Sequence, residues 1–160
     1  MSPDESFLET LLAALDEVGL EALIVGSTAA ALQGAPVMTQ DIDVLIRDTP
    51  MNRDKLERLS VALRAARPVP VSELSSTMTI IGGDLPVDVL FETLPGALSF
   101  AALRSRAVAV PVGGRTAIVA SLEDVIQSKA AADRPKDRAQ LPILRDTLRI
   151  KIALGENPGR

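Results

Sequence analysis

Four residue types that carry much of protein chemistry are absent from this chain: Cys, His, Trp and Tyr. Without Cys there are no disulfides, thiolate nucleophiles, iron–sulfur clusters or Cys-rich zinc sites. Without His the commonest general base and the commonest zinc ligand are gone. Phe7, Phe91 and Phe100 are the only aromatic rings, so little is available to stack on a nucleobase. Catalysis of any kind then falls to Asp, Glu, Lys, Arg and Ser. Oxygen donors of that kind suit Mg²⁺, Mn²⁺ or Ca²⁺.

Long apolar runs are missing too, and none approaches the roughly 20 residues needed to cross a bilayer. The opening Met-Ser-Pro-Asp-Glu has neither the basic nor the apolar region of a signal peptide. A soluble, cytoplasmic protein with no membrane partner is expected. The net charge of −4 argues against a surface coated in base for sequence-blind nucleic-acid binding. A local basic groove depends on where the 17 Lys and Arg residues sit. With 160 residues, 47% of them hydrophobic, the chain can bury a core but is short for two ordinary domains. One domain over 1–160 is expected, with a core over about 1–94 and a C-terminal hairpin and helices over about 95–160.

What is present reads as alternating helices and strands. Ser2, Pro3 and Glu5 form a capping-box pattern, and Phe7, Leu8, Leu11, Leu12, Leu15 and Val18 follow at helical spacing up to Gly19. Leu20 to Val25 reads as a buried strand that turns at Gly26-Ser27 into a short helix over Thr28 to Gln33. Asp41 to Ile46 reads as a strand with Ile42, Val44 and Ile46 on one face and Asp41, Asp43 and Leu45 on the other. Thr49-Pro50 opens a helix with Leu56, Leu59 and Leu63 inward, closed by Pro68, and residues 67–76 read as loop. Two hairpins are expected, Thr77 to Ile81 with Leu85 to Phe91, and Ala107 to Val112 with Arg115 to Val119. Ser121 and Asp124 cap a helix running to about Ala132. A last helix starts near Lys136, with Pro142 opening its second segment.

The acids on two of these strands carry the chemistry. Asp41 and Asp43 share a strand face with α-carbons roughly 6.5 Å apart. In Pro86-Val87-Asp88-Val89-Leu90-Phe91, Asp88 points opposite to Val87, Val89 and Phe91. A neighbouring strand lies roughly 4.8 Å away, so the third carboxylate can close one metal cage. Asp-x-Asp alone is common on solvated strand edges. Here both aspartates begin an otherwise apolar strand, and a third acid stands in a matching alternation. Crowded carboxylates repel, and a divalent cation relieves that repulsion. Gly26-Ser27, between a strand and a helix, suits a phosphate cradle: Gly permits close backbone approach and Ser adds a hydroxyl.

Val25-Gly26-Ser27 through Gln40-Asp41-Ile42-Asp43-Val44-Leu45-Ile46 resembles the signature of the DNA polymerase beta-like nucleotidyltransferase superfamily. The likeness is greatest to its minimal nucleotidyltransferases and abortive-infection-type toxins. It continues through Ser121-Leu122-Glu123-Asp124 and Lys129 to Arg134-Pro135-Lys136-Asp137. Gly-Ser stands where Gly-Gly is usual, and no large extra domain is present to shape acceptor choice. The resemblance implies an α/β (α+β) nucleotidyltransferase fold, a mixed sheet flanked by helices and completed by a C-terminal hairpin and helices. It implies transfer of a nucleoside monophosphate from a nucleoside triphosphate to a hydroxyl acceptor (RNA, protein or small molecule) with Mg²⁺ or Mn²⁺.

In that scheme Asp41, Asp43 and Asp88 are the metal ligands, and Gly26, Ser27 and Lys129 bind the nucleotide. Asp41, Asp43, Asp88, Lys129 and Asp137 make up the catalytic set. Lys129 can reach a phosphate or be an ordinary solvated helix lysine. Asp137 can act as a base on the acceptor or be an acid of a helix's first turn. Arg134 and Lys136 are phosphate-contact candidates or exposed loop charges, while Arg64, Arg67, Arg104, Arg106 and Arg115 are too scattered to define a groove. Glu92 shares the face of Asp88 but is left outside the core site. Two further outcomes are a toxin restrained by an antitoxin partner and a non-catalytic nucleotide- or partner-binding module of the same fold.

Overall fold

Phe7, Leu8, Leu11, Leu12 and Leu15 line one face of helix α1 (Pro3–Val18) and are all buried, as their spacing requires. The structure, a computed structural model, describes residues 3–155. The capping role expected of Ser2 lies outside them. After α1 come β1 (Leu23–Val25), α2 (Gly26–Leu32), β2 (Ile42–Ile46) and α3 (Pro50–Ala62). Then follow β3 (Val69–Pro70), β4 (Met78–Ile80), β5 (Val87–Phe91), β6 (Thr93–Leu94), β7 (Leu98–Ser99) and α4 (Phe100–Ser105). The chain continues with β8 (Val108–Val112), β9 (Arg115–Val119), α5 (Leu122–Ala132) and α6 (Pro135–Ala153). No helix among the described residues is long and apolar enough to cross a membrane.

Seven strands form one mixed sheet in the order β3-β4-β5-β2-β1-β9-β8. β2 runs parallel to β5 and antiparallel to β1, and β1 runs parallel to β9. Both expected hairpins are present, as β4 with β5 and β8 with β9. Helices flank the sheet: α1 packs on α3 and on β8 and β9, while α2 packs on α5, and α5 on α6. Local signals set the helix starts. The Thr49 hydroxyl accepts from the Asn52 amide at 3.1 Å, and the Ser121 hydroxyl accepts from the Asp124 amide at 3.2 Å.

Several details differ from expectation. Asp41 immediately precedes β2 instead of opening it. The supposed acidic face of β2 is acidic only at its start, because Leu45 is fully buried. α3 ends at Ala62, with Arg64 in the left-handed region, well before Pro68. Residues 67–76 contain β3, which pairs with β4. The segment from β6 through α4 is not marked by local sequence patterning. It is held by the fully buried Phe100 and Leu103, with the Ser99 hydroxyl accepting from the Ala102 amide at 3.1 Å. Pro142 does not divide α6, which runs unbroken to Ala153. A proline removes the bond to the carbonyl four residues back, here Arg138. Pro142 and Arg138 are both exposed, leaving that carbonyl access to water, while buried Leu141 and Leu144 anchor the helix across the site.

Candidate active site

Parallel pairing of β2 with β5 sets Asp43 directly opposite Asp88. Asp41, one residue before β2, completes the set: one oxygen from each of Asp41, Asp43 and Asp88 lies within 4.8 Å of the other two. Hydrogen bonds hold the Asp88 carboxylate and the Asp41 backbone in place. The Thr79 hydroxyl, from the adjoining strand, donates to Asp88 Oδ1 at 2.6 Å. The Thr28 and Thr39 hydroxyls both donate to the Asp41 carbonyl. Gly26 turns β1 into α2 at φ +64°, and a Cβ there would stand 2.7 Å from Asp43 Oδ2. Only glycine lets the turn pass this close to the acid without strain or collision.

Crowding and burial make Asp41 and Asp43 reluctant to ionise. Burial, followed by the Asp41 and Asp88 charges, pushes the Asp43 carboxyl up to about 7. Asp41 is raised from its ordinary value by burial, by the Asp88 charge and by a hydrogen bond with Asp88. Close oxygen donors whose full charge needs a compensating cation fit Mg²⁺ or Mn²⁺ well.

A second cluster faces them across a cleft of about 360 Å³ whose lining includes Gly26, Ser27, Asp41, Asp43, Lys129 and Lys136. Lys129 is only 6% exposed and Asp137 is fully buried. Lys129 Nζ lies 3.5 Å from Asp137 Oδ1 and donates to the Ser27 hydroxyl at 3.1 Å. That hydroxyl donates to Gln140 Oε1 at 3.0 Å. Arg134 grips Asp137 with Nε at 2.7 Å, Nη2 at 3.3 Å and its own backbone N–H at 3.2 Å. Burial works against the charge of Asp137, but the bonds from Arg134 outweigh it and hold the carboxyl below its ordinary value. Burial pushes the Lys129 ammonium down, and the charge of Asp137 partly offsets this.

Every residue expected to bind metal or nucleotide therefore borders this cleft or its acid cluster. Lys129 is not a solvated helix lysine. Asp137 does stand in the first turn of α6, but buried, with both carboxylate oxygens engaged. Glu92 stays outside: at φ +66° it ends the strand, and its carboxylate accepts from the Asp48 amide at 2.9 Å. Three of the five scattered arginines form separate pairs, Arg67 with Glu57, Arg106 with Asp124 and Arg115 with Asp16. Asp124, expected as a cap, spends its buried side chain on Arg106. Sequence reasoning missed Gln140 and Thr79. Gln140 lies one helical turn beyond Asp137 on α6, which is the one signal that could have placed it.

No family model matches the chain, and no curated protein does. Solved structures do. The aminoglycoside nucleotidyltransferase ANT(2″)-Ia, in complex with adenylyl-2″-tobramycin, matches with a TM-score of 0.67 at 21% identity, covering 92% of this chain and 90% of that one. The chain has the nucleotidyltransferase fold. A proposed nucleotidyltransferase from Thermotoga maritima shares this fold at TM-score 0.61 and 19% identity, covering 88% of this chain and 91% of the other. An antigenic nucleotidyltransferase-like protein from Paracoccidioides brasiliensis does so at 0.58 and 16%, covering 94% and 78%. The nucleotidyltransferase fold is also what the Gly26-Ser27 and Asp41-x-Asp43 resemblance implied.

Proposed function

We propose that this protein is an enzyme that transfers a nucleoside monophosphate from a nucleoside triphosphate to a hydroxyl acceptor, releasing pyrophosphate. The observation that carries this is the convergence of Asp41, Asp43 and Asp88, with their oxygens within 4.8 Å, beside the Gly26-Ser27 turn. Asp41, Asp43 and Asp88 would hold Mg²⁺ or Mn²⁺. Bound there, the cation would neutralise phosphate charge and lower the pKa of the acceptor hydroxyl. Gly26 and Ser27 cradle the β- and γ-phosphates. Lys129 presents a positive charge to them from a buried position. Asp137 orients Lys129 and Arg134, and its two engaged oxygens suit it poorly to act as a base. Positioning and electrostatics supply most of such a phosphoryl transfer, which a chain without His or Cys can provide. The whole chain acts as one domain, in the cytoplasm where nucleoside triphosphates are at hand.

The test is thermal unfolding with nucleoside triphosphate in Mg²⁺ and in EDTA, followed by incubation with labelled triphosphate and RNA, protein or aminoglycoside. A rise in Tm confined to the Mg²⁺ arm and label on one acceptor are expected. Label on RNA or protein is what a toxin restrained by an antitoxin requires. Label on an aminoglycoside is the acceptor class in the ANT(2″)-Ia complex. Nucleotide binding with no transfer to any acceptor leaves a non-catalytic binding module. Equal Tm shifts in Mg²⁺ and EDTA refute the metal-bridged site.

A further inference from the structure

We propose that Lys136 is a triphosphate-binding residue of the cleft, the cation that holds the departing pyrophosphate; this rests on the nucleotidyl transfer proposed above. Among the described residues, three cations border the cleft: Lys129, Arg134 and Lys136. Two are already committed. Lys129 is buried against Asp137 and Ser27, and Arg134 is spent on both oxygens of Asp137. Lys136 is exposed, and its ammonium makes no ion pair or hydrogen bond to any other described residue. It nevertheless lines the same cleft as Asp41, Asp43 and the Gly26-Ser27 turn.

Its position on its own helix is unfavourable. Lys136 is the second residue of α6, a 19-residue helix, where the helix dipole favours anions and repels cations. Repulsion from Lys129 adds to this. Asp137, the next residue, follows the dipole rule; Lys136 breaks it. An anion entering the cleft between Lys136 and the Gly26-Ser27 turn removes both penalties at once. A flexible four-carbon stem carrying a compact charge suits a phosphate whose position shifts during reaction. In that reaction the acceptor oxygen bonds to the α-phosphorus as the bond from that phosphorus to the bridging oxygen breaks. The electron pair stays on the pyrophosphate, and the acceptor proton passes to water. Negative charge therefore grows on the group that Lys136 holds. A monophosphate lacks that group, so Lys136 should separate triphosphate from monophosphate.

The experiment is calorimetric titration of wild type, Lys136→Met and Lys136→Arg in Mg²⁺ without acceptor. Each of the four common ribonucleoside triphosphates is used, then the matching monophosphate and inorganic pyrophosphate. Lys136→Met should weaken the tightest triphosphate and pyrophosphate about ten- to hundredfold and leave the monophosphate unchanged. Lys136→Arg should retain most of the affinity. Urea unfolding in EDTA should find Lys136→Met close to wild type in stability, since the exposed ammonium holds no ion pair or hydrogen bond within the described fold. Unchanged triphosphate affinity, or equal weakening of triphosphate and monophosphate, overturns the assignment while leaving the proposed function standing. Marked destabilisation of Lys136→Met overturns it in favour of a structural lysine. A wild type that binds no triphosphate overturns both.

Discussion

At Asp43, site chemistry and stability pull in opposite directions. Its carboxyl ionises near 7 in the folded protein, against an ordinary value of 3.8. Between those values the folded state binds more protons than the unfolded state, so metal-free stability falls as pH rises through that window and levels off above about 7. Asp41 is shifted in the same direction. Asp43→Asn removes the repulsion and keeps the shape. In EDTA at alkaline pH the variant should exceed wild type by about 1–3 kcal/mol and show a flatter pH profile. It should also lose metal-dependent nucleotide binding. In wild type, cation affinity should climb across neutral pH, because the cation must displace the shared protons. Urea unfolding at acidic and alkaline pH, with parallel Mg²⁺ and nucleotide titrations, measures all three. An Asn variant that is less stable than wild type at alkaline pH would show that Asp43 is a structural partner.

Helices α5 and α6 meet the Gly26-Ser27 turn through one network: Asp137 joins Arg134 to Lys129, Lys129 reaches Ser27, and Ser27 reaches Gln140. Removing one partner of a buried pair leaves the other without compensation, which costs more than the pair contributes. Lys129→Met should therefore both weaken nucleotide binding and destabilise the protein, by about 1–3 kcal/mol given that Arg134 still serves Asp137. Lys129→Met with Asp137→Asn should recover part of that stability but none of the nucleotide affinity. A double-mutant cycle in urea, with nucleotide titration of each variant, checks this. Additive stability losses would mean that Lys129 and Asp137 are not coupled.

Over the whole molecule, the C-terminal part of the chain is woven into the sheet. β9 lies against β1, the Ala120 amide donates to the Ile24 carbonyl at 2.9 Å, and α5 covers α2. Cutting the chain after residue 94 would strip β1 of a neighbour and expose the fully buried Leu23 and Ala29 with their surroundings. A fragment of residues 1–94 should therefore show no cooperative urea transition by circular dichroism, while the full chain shows one. A fragment that unfolds cooperatively would establish two folding units.

Period and alternation along the chain were enough to place α1, both hairpins, and the acids at 41, 43 and 88, because burying one face of an element leaves that face in the sequence. The Gly26-Ser27 turn was legible because few residues tolerate left-handed backbone there. Alternation reports which face a residue takes, not which strand lies beside it. The register that puts Asp43 opposite Asp88 joins strands separated by α3, β3 and β4. The contact of Ser27 with Gln140 spans 113 residues. The rise of Asp43 and the burial of Lys129 and Asp137 depend on charges and dielectric assembled from distant segments. Local patterning thus supplied the carboxylates and the turn. Only tertiary packing decided that they share one cleft, and which of its cations stays free for a ligand.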